Sequence, residues 1–428
     1  MCRYNGARMI RSCIVVCVCL CVSAQTHPSA REELQHLQKE SLAARQSGDK
    51  QTRIRKLEQI RALVNDAPNV LDRLAQAYAS VGNTAKANEI VYEMAEMGEC
   101  DQEWLKTAEI SDLGQHLGRV RRNCDPVSTS ATAFTLSHPG LLAEDIAYDT
   151  ANRTFLITSV LGQKIVRADA AGKLTDFASS PSGWPMLGIK IDQKQRVVWA
   201  TEVALDGFAN VPKQDWGRSA VLAFNLADGT LRLRIEVPRP SAIGDIALLQ
   251  DGGILASDGV SGALYRVAAA KSQGNTLRRI DHGEFISSQT AVIAADGRYA
   301  FVPDYVRGVA RVDLDSGAVS WLDSQHRYAL SGIDGLYLSG NSLFATQNGV
   351  TPERVMRFQL DGASHSIVGQ QVVERATPTL GDPTHGVVVG RDFYYIANSG
   401  WSEIDDHGNL KPGHKLTAAR VMRIQVAQ

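Results

Sequence analysis

Acidic residues recur at matched places along this chain. Six segments share a polar opening, an apolar run, a turn, a second apolar run and an acidic, amide or hydroxyl close: EDIAYDTANRTFLITS from Glu144, LGIKIDQKQRVVWATE from Leu187, DIALLQDGGILASD from Asp245, QTAVIAADGRYAFVPD from Gln289, DGLYLSGNSLFATQ from Asp334 and HGVVVGRDFYYIAN from His385. The openings carry Glu144 with Asp145, Leu187, Asp245, Gln289 with Thr290, Asp334 and His385; the closes carry Ser159, Glu202, Asp258, Asp304, Gln347 and Asn398. Carboxylates brought together raise one another's pKa unless a proton or a cation is shared. A hard divalent ion that takes roughly six to eight oxygen ligands, Ca²⁺ first among them, would resolve that conflict. His385 adds an imidazole that can be read as a metal ligand, as a proton shuttle to a leaving alkoxide, or as a hydrogen-bonded histidine without chemistry. Asp258, followed by Gly259, reads first as a turn cap, and Asp304 reads equally as cap or ligand.

The elements that would position these residues follow from the spacing. Successive openings lie 43, 58, 44, 45 and 51 residues apart. Each copy reads as two strands joined by a tight turn, since Asp-Gly and Gly-Asn pairs tolerate the positive φ of hairpins. A third alternating run follows each copy, as in QKIVRAD at Gln163 and ERVMRFQL at Glu353, and a fourth follows most of them, as in LRLRIEV at Leu231 and AVSWLD at Ala318. Four-strand units at this period predict a six-bladed β-propeller. The sixth unit ends with ARVMRIQV at Ala419, one strand short, and ATAFTLS at Ala131 is predicted to supply its outer strand and close the ring. Because adjacent strands of a blade are antiparallel, first-strand openings and second-strand closes share one face. That face is therefore expected to gather many carboxylates and one imidazole around the axis.

Composition excludes several other functions. The chain has 428 residues, 44% of them hydrophobic, with 45 Lys and Arg against 46 Asp and Glu, a balance that calls for neither nucleic acid nor an anionic membrane. No glycine-rich phosphate loop, no G-x-S-x-G elbow and no His or Cys pair at zinc spacing is present. Residues 1–24 read as a secretory signal, with Arg3, Arg8 and Arg11 before an apolar core from Cys13 to Val22 and the small-residue site Val22-Ser23-Ala24. Secretion or export to a periplasm is expected, with no membrane anchor after cleavage. Five of the seven cysteines lie in that segment, and the remaining pair, Cys100 and Cys124, is predicted to form a disulfide.

Residues 25–125 follow a different period and are predicted to form a separate small helical domain, joined by a linker at 126–130 to the propeller at 131–428. Leu37, Leu71 and Leu105 are 34 apart, as are Ser41 and Ala75, Gly48 and Gly82, Leu57 and Val91, and Ile60 and Met94. The copy LDRLAQAYASVGNTAKANEIVYEMAEMG resembles tetratricopeptide repeats, with a plain helical bundle as the alternative. Such repeats imply a protein partner, or hairpins that simply pack on the propeller.

From about Leu141 to the C-terminus the chain resembles the regucalcin/gluconolactonase family of propellers, through Glu144-Asp145-Ile146-Ala147-Tyr148-Asp149, Asp334-Gly335-Leu336 and LFATQNG at Leu343. The resemblance implies a divalent metal held by Glu144, Asp245, Gln289 and Asp334, with Asp245 and either Gln289 or Thr290 standing where the family has Asn. It implies hydrolysis of a lactone or ester at the channel mouth, with Asp334 or His385 activating water. RSAVLAFNLADGTLRLRIEVP followed by GDIALLQDG also resembles propellers of the yellow/royal-jelly type, which keeps a non-catalytic ligand carrier or scaffold open. Trp184, Trp216 and Trp401, in long connections, are candidates for a substrate rim or for scattered surface aromatics, and DDHGNLKPGHK at Asp405 for a lid or a solvated loop.

Overall fold

The computed structural model describes residues 28–65, 67–100, 114–270, 277–324 and 329–426. The predicted signal segment and Leu105 lie outside the described residues. Among those described, no helix is long and apolar enough to cross a membrane.

Six sheets form the expected six blades. Blade one runs from its inner strand Ala143–Asp149 through Thr154–Ser159 and Lys164–Ala168 to Leu174–Ser179. Blades two, three and four repeat that meander, and each sheet presents one face to each neighbouring blade. Their inward residues meet in six apolar interfaces. Leu156 and Ile165 pack with Ile189 and Leu222 between blades one and two, and Tyr337 and Phe344 pack with Phe393, Tyr395 and Met422 between blades five and six. The ring is closed by the interface of blade six with blade one, where Ile396 and Val421 join Ile146, Ile157 and Val166. Its closure is completed as predicted: Ala131–Thr135 pairs antiparallel with Arg420–Gln425 as the outer strand of blade six. That pairing covers the edge of Arg420–Gln425 that a three-strand blade would leave open.

Blade five departs from the four-strand expectation. Val127–Ser128 adds to its outer strand Ser366–Arg375 at one end, pairing with Arg375 and Glu374, and Asp323–Ser324 adds in parallel at the other. The Pro- and Ser-containing stretch 126–130 thus contributes backbone to the sheet. In blade four the inner strand is reduced to Val292–Ile293; before it, Ser288 bridges Asp304 within the blade and Thr290 bridges Gly335 of blade five in parallel.

The helical segment has α1 (Ala30–Ser47), α2 (Lys50–Leu63), α3 (Pro68–Ala79), α4 (Thr84–Glu96) and α5 (Gly114–Asn123). Ser29 and Glu32 form a capping box that starts α1. Gly48 and Gly82, both at φ 77°, reverse the chain after α1 and α3, a left-handed conformation that costs glycine nothing. The residues related by 34 positions are buried in equivalent places: Leu37 and Leu71, Ser41 and Ala75, Leu57 and Val91, Ile60 and Met94.

The helices rest on the propeller. Leu34, Val64, Val70 and Leu74 share a core with Ile286, Ala329 and Val350, which belong to loops of blades four and five. Two arginines of blade five receive the helix ends. Arg354, only 2% exposed, donates to Met97 O at 3.1 Å and Gly98 O at 3.0 Å beyond α4, and to Gln347 Oε1 at 3.0 Å. Arg375 donates to Arg122 O at 2.9 Å in the last turn of α5 and to Asp125 O at 3.1 Å beyond it. A cation at a helix C-terminus meets both the macrodipole and carbonyls that lack intrahelical partners. The Cys100–Cys124 disulfide joins the two docked ends, with its Cα atoms 5.3 Å apart, and Cys100 N donates to Thr351 O at 2.7 Å.

Arg354→Ala should therefore cost about 3 kcal/mol, because it strands buried carbonyls and removes a paired buried charge. The expected readout is a lower unfolding temperature with faster amide exchange in α4 and α5. Unchanged exchange there would show that the guanidinium does not hold the domain.

Candidate functional site: an axial carboxylate–imidazole cluster

Each inner strand must begin close to the axis, and four of them do so through a bulge. Register shifts fall between Ala143 and Ile146, Met186 and Ile189, Ile243 and Asp245, and Ile333 and Gly335. In three blades the hydroxyl of a second-strand threonine fixes the bulge. Thr158, Thr201 and Thr346 accept from Asp145 N, Gly188 N and Gly335 N at 2.9, 2.9 and 3.0 Å. Each hydroxyl also turns to a carbonyl of the next blade, Leu187 O, Gly244 O or Thr384 O. These threonines sit one position before the closes Ser159, Glu202 and Gln347.

The closes brace loops. Glu202 accepts from Ser180 Oγ at 2.6 Å, Ser182 Oγ at 2.8 Å and Arg234 Nε at 2.8 Å. Asp258 accepts from Ala242 N, Val260 N and Ser261 Oγ at 3.0, 2.9 and 2.6 Å. Asp304 accepts from four backbone amides, those of Ile286, Ser287, Val306 and Arg307. Ser159 donates to Leu141 O, Gln347 to Ala329 O and Ser331 O, and Asn398 accepts from Arg420 N. The wide carboxylate ring expected from sequence is thus a smaller cluster drawn from the openings. Asp145 leaves it as well, since its carboxylate accepts from Ile189 N at 2.8 Å and Lys190 Nζ at 2.6 Å in blade two.

What remains links blade six to blade three across the axis and to blade one beside it. His385 of blade six reaches Asp245 of blade three, Nε2 to Oδ1, at 2.7 Å, and its Nδ1 lies 3.0 Å from Glu144 O of blade one. A carbonyl only accepts, so Nδ1 carries a proton and donates. Thr384 Oγ1 donates to the same carbonyl at 2.8 Å. Thr290 Oγ1 donates to Asp245 Oδ1, so Thr290 and not Gln289 makes the blade-four contact; the Gln289 amide turns to Ser287, 3.1 Å from its hydroxyl. One ligand-capable atom from each of Glu144, Asp334 and His385 lies within 4.8 Å of the others. Glu144, Asp245 and His385 are buried and Asp334 is partly exposed.

The electrostatics follow from that crowding. Burial, reinforced by Asp334 and opposed by His385, pushes the Glu144 carboxyl up to about 8. Asp334 is pushed up to about 6 by burial, again with His385 in opposition and Asp245 in reinforcement. For His385, burial favours the neutral ring, but Asp334, Asp145 and Asp245 outweigh it and hold the imidazole well above its ordinary value. His385 is thus an imidazolium shared among carboxylates.

The second layer was not singled out from sequence. Asn348 Nδ2 donates to Asp334 Oδ2 at 2.9 Å, and Tyr305 OH donates to Asn348 Oδ1 at 2.9 Å. Each follows a second-strand close directly (Asp304-Tyr305, Gln347-Asn348), so the position after the close was the available signal. Trp401 Nε1 donates to Glu144 Oε2 at 2.6 Å. The three tryptophans are not scattered: Trp184, Trp216 and Trp401 pack with Leu142, Val160, Phe208 and Ile404 in one cluster. The insertion at Asp405 likewise reaches blade two, where His407 Nδ1 meets Gly207 O at 2.9 Å.

Beside Asn348, Glu353 Oε2 accepts from Asp382 N at 2.6 Å, and burial together with the Asp382 charge pushes the Glu353 carboxyl up to about 7. A carboxyl raised in the folded state contributes stability that is complete below its unfolded pKa, here the ordinary 4.5, and lost as pH rises through the folded value. Glu353→Gln removes that ionisation. Its melting temperature should match the parent near pH 4.5 and exceed it by roughly 2–4 °C at pH 8; a constant offset at both pH values would contradict the assignment.

Neither a protein-family model nor a curated protein sequence matches this chain. Solved structures do. The calcium-binding protein regucalcin from Agrobacterium tumefaciens aligns with a TM-score of 0.49 at 16% identity, covering 71% of this chain and 97% of that one. A luciferin-regenerating enzyme aligns at 0.47 and 12%, covering 70% and 95%. The gluconolactonase from Xanthomonas campestris aligns at 0.45 and 13%, covering 70% and 94%. At these identities and scores, what this chain shares with such structures bears on neither ligand nor activity.

Proposed function

We propose that the chain is an exported hydrolase that uses a divalent cation, Ca²⁺ in the first instance, to open a lactone or ester at the channel mouth. The observation that carries this reading is the convergence of Glu144, Asp334 and His385 within 4.8 Å. The donor set fits a hard cation through its oxygens. Glu144 and Asp334 are carboxylates whose ionisation is suppressed by burial and mutual repulsion, and a divalent charge between them would relieve both penalties. His385 fits less well as a ligand, because both ring nitrogens already face oxygens. Its part is to hold Asp245 and Glu144 across the axis.

A bound cation would polarise the substrate carbonyl as a Lewis acid. The chain's own groups do the rest. Asp334, oriented by Asn348, takes the proton from the attacking water and returns it to the alkoxide released when the acyl C–O bond of the lactone or ester breaks. The His385 imidazolium keeps the surrounding negative charge in balance while that proton moves. Trp401 holds one oxygen of Glu144.

A second reading has one observation in its favour. The imidazolium already offsets part of the carboxylate charge without any metal, which suits a cation-free binding protein whose helices engage a protein partner.

Metal analysis of the purified protein, Ca²⁺ thermal shifts and a panel of lactones and aryl esters separate the two. The hydrolase reading expects bound divalent ion, stabilisation reversed by EDTA, and a loss of turnover of roughly 10²- to 10⁴-fold in Asp334→Asn. It fails if EDTA changes nothing and Glu144→Ala leaves the melting temperature and turnover alone.

A further inference from the structure

Two long connections from different blades meet beside the axial cluster. One is 204–217 in blade two, between Val197–Val203 and Ser219–Asn225; the other is 399–418 in blade six, between Asp392–Ile396 and Arg420–Gln425. Blade one lies between them in the ring, so their contact bridges a whole blade. Ala209 N donates to His407 O at 3.0 Å, and His407 Nδ1 meets Gly207 O at 2.9 Å. The Phe208 ring packs edge-on against Trp401 with centroids 6.3 Å apart. Gly408 lies against that ring so closely that a Cβ would fall 2.8 Å from it. Beneath the bridge, Leu142 and Val160 of blade one complete the apolar packing.

This bridge touches the cluster through the Trp401 indole N–H, bonded to Glu144 Oε2 at 2.6 Å. The same ring that packs on Phe208 therefore holds a carboxylate 257 residues away in sequence. Near its base, the blade-six segment is pinned again where Ser402 N donates to Asp382 Oδ2 at 2.6 Å.

We propose that the two connections form a strap latched over the blade-one side of the site by the Trp401–Glu144 hydrogen bond, and that Trp401 is a positioning residue for Glu144. The strap holds Glu144 in place, and Glu144 holds the strap down. A group that displaces the indole from Glu144 Oε2 opens that side of the site, and ligand occupancy is thereby coupled to strap mobility. The positioning half rests on the cation-binding reading above; the latch half does not.

Hydrogen–deuterium exchange over 399–418 and trypsin cleavage at the exposed Lys415 test the latch in the full chain. Trp401→Phe keeps the ring and removes the donor; Glu144→Ala removes the acceptor from a distant blade. Each should speed exchange of 402–416 and cleavage at Lys415 about tenfold, and the double variant should add little to either single change. Unchanged exchange and cleavage in Glu144→Ala overturn the latch, whether or not the protein binds metal. For the positioning role, Ca²⁺ titration by calorimetry should show affinity lowered about tenfold in Trp401→Phe and recovered in Trp401→His, whose ring N–H restores a donor. Equal Ca²⁺ affinity in the parent and Trp401→Phe overturns that role. If the parent binds no Ca²⁺, the cation reading falls together with the positioning role, and the exchange data still decide the latch.

Discussion

Carboxylates that converge on one axis repel, and a closed ring of blades gives them nowhere to retreat. The bond from His385 to Asp245 answers that constraint in this protein. It spans the propeller between blades six and three, while the other ring nitrogen is tied to the blade-one backbone. Without the imidazolium, burial and mutual repulsion would act on Glu144 and Asp334 unopposed, and their protonated forms would be favoured further. The side chains of Asn348 and Trp401 act on carboxylates whose charge this one ring balances. The site is accordingly a charge-balanced network, in which altering one member changes the protonation of the others.

Much of the architecture could be read from the chain. The sixfold alternation from Glu144 gave the blades, and the unpaired alternation at Ala131 gave the closing strand, because a three-strand final unit leaves an edge that must be covered. The 34-residue spacing of Leu37, Leu71 and their companions gave the helical hairpins. Cys100 and Cys124 were left as a pair once the cysteines of the first 24 residues were set apart. These inferences rest on periodicity, and periodicity survives in sequence because every repeat must bury the same face.

The remainder depends on contacts that no period encodes. Alignment of the closes suggested a ring of acids, but a strand end is also where loops need hydrogen-bond acceptors, and Glu202, Asp258 and Asp304 serve that local need. The choice between Gln289 and Thr290 turned on a blade-four inner strand too short to fix its own register. Arg354 and Arg375 lie in ordinary alternating strands, and nothing nearby announces that they receive helix ends about 250 residues upstream in the chain. The meeting of Phe208 with Trp401 is equally hidden, since both lie in connections outside the repeat.

The short strand Val127–Ser128 alters what the helical segment means for this protein. It extends blade five, and a few residues later the same backbone becomes the outer strand of blade six. Arg375, which pairs with Val127, also donates to carbonyls at the end of α5. The segment is therefore not an interchangeable module attached to a finished propeller. A shuffled or transplanted propeller beginning at Ala143 would lose both the seam strand and part of its fifth blade. The ring's own boundary therefore falls at Val127, and any exchange of the helices would have to rebuild the contacts that Arg354 and Arg375 make with their ends.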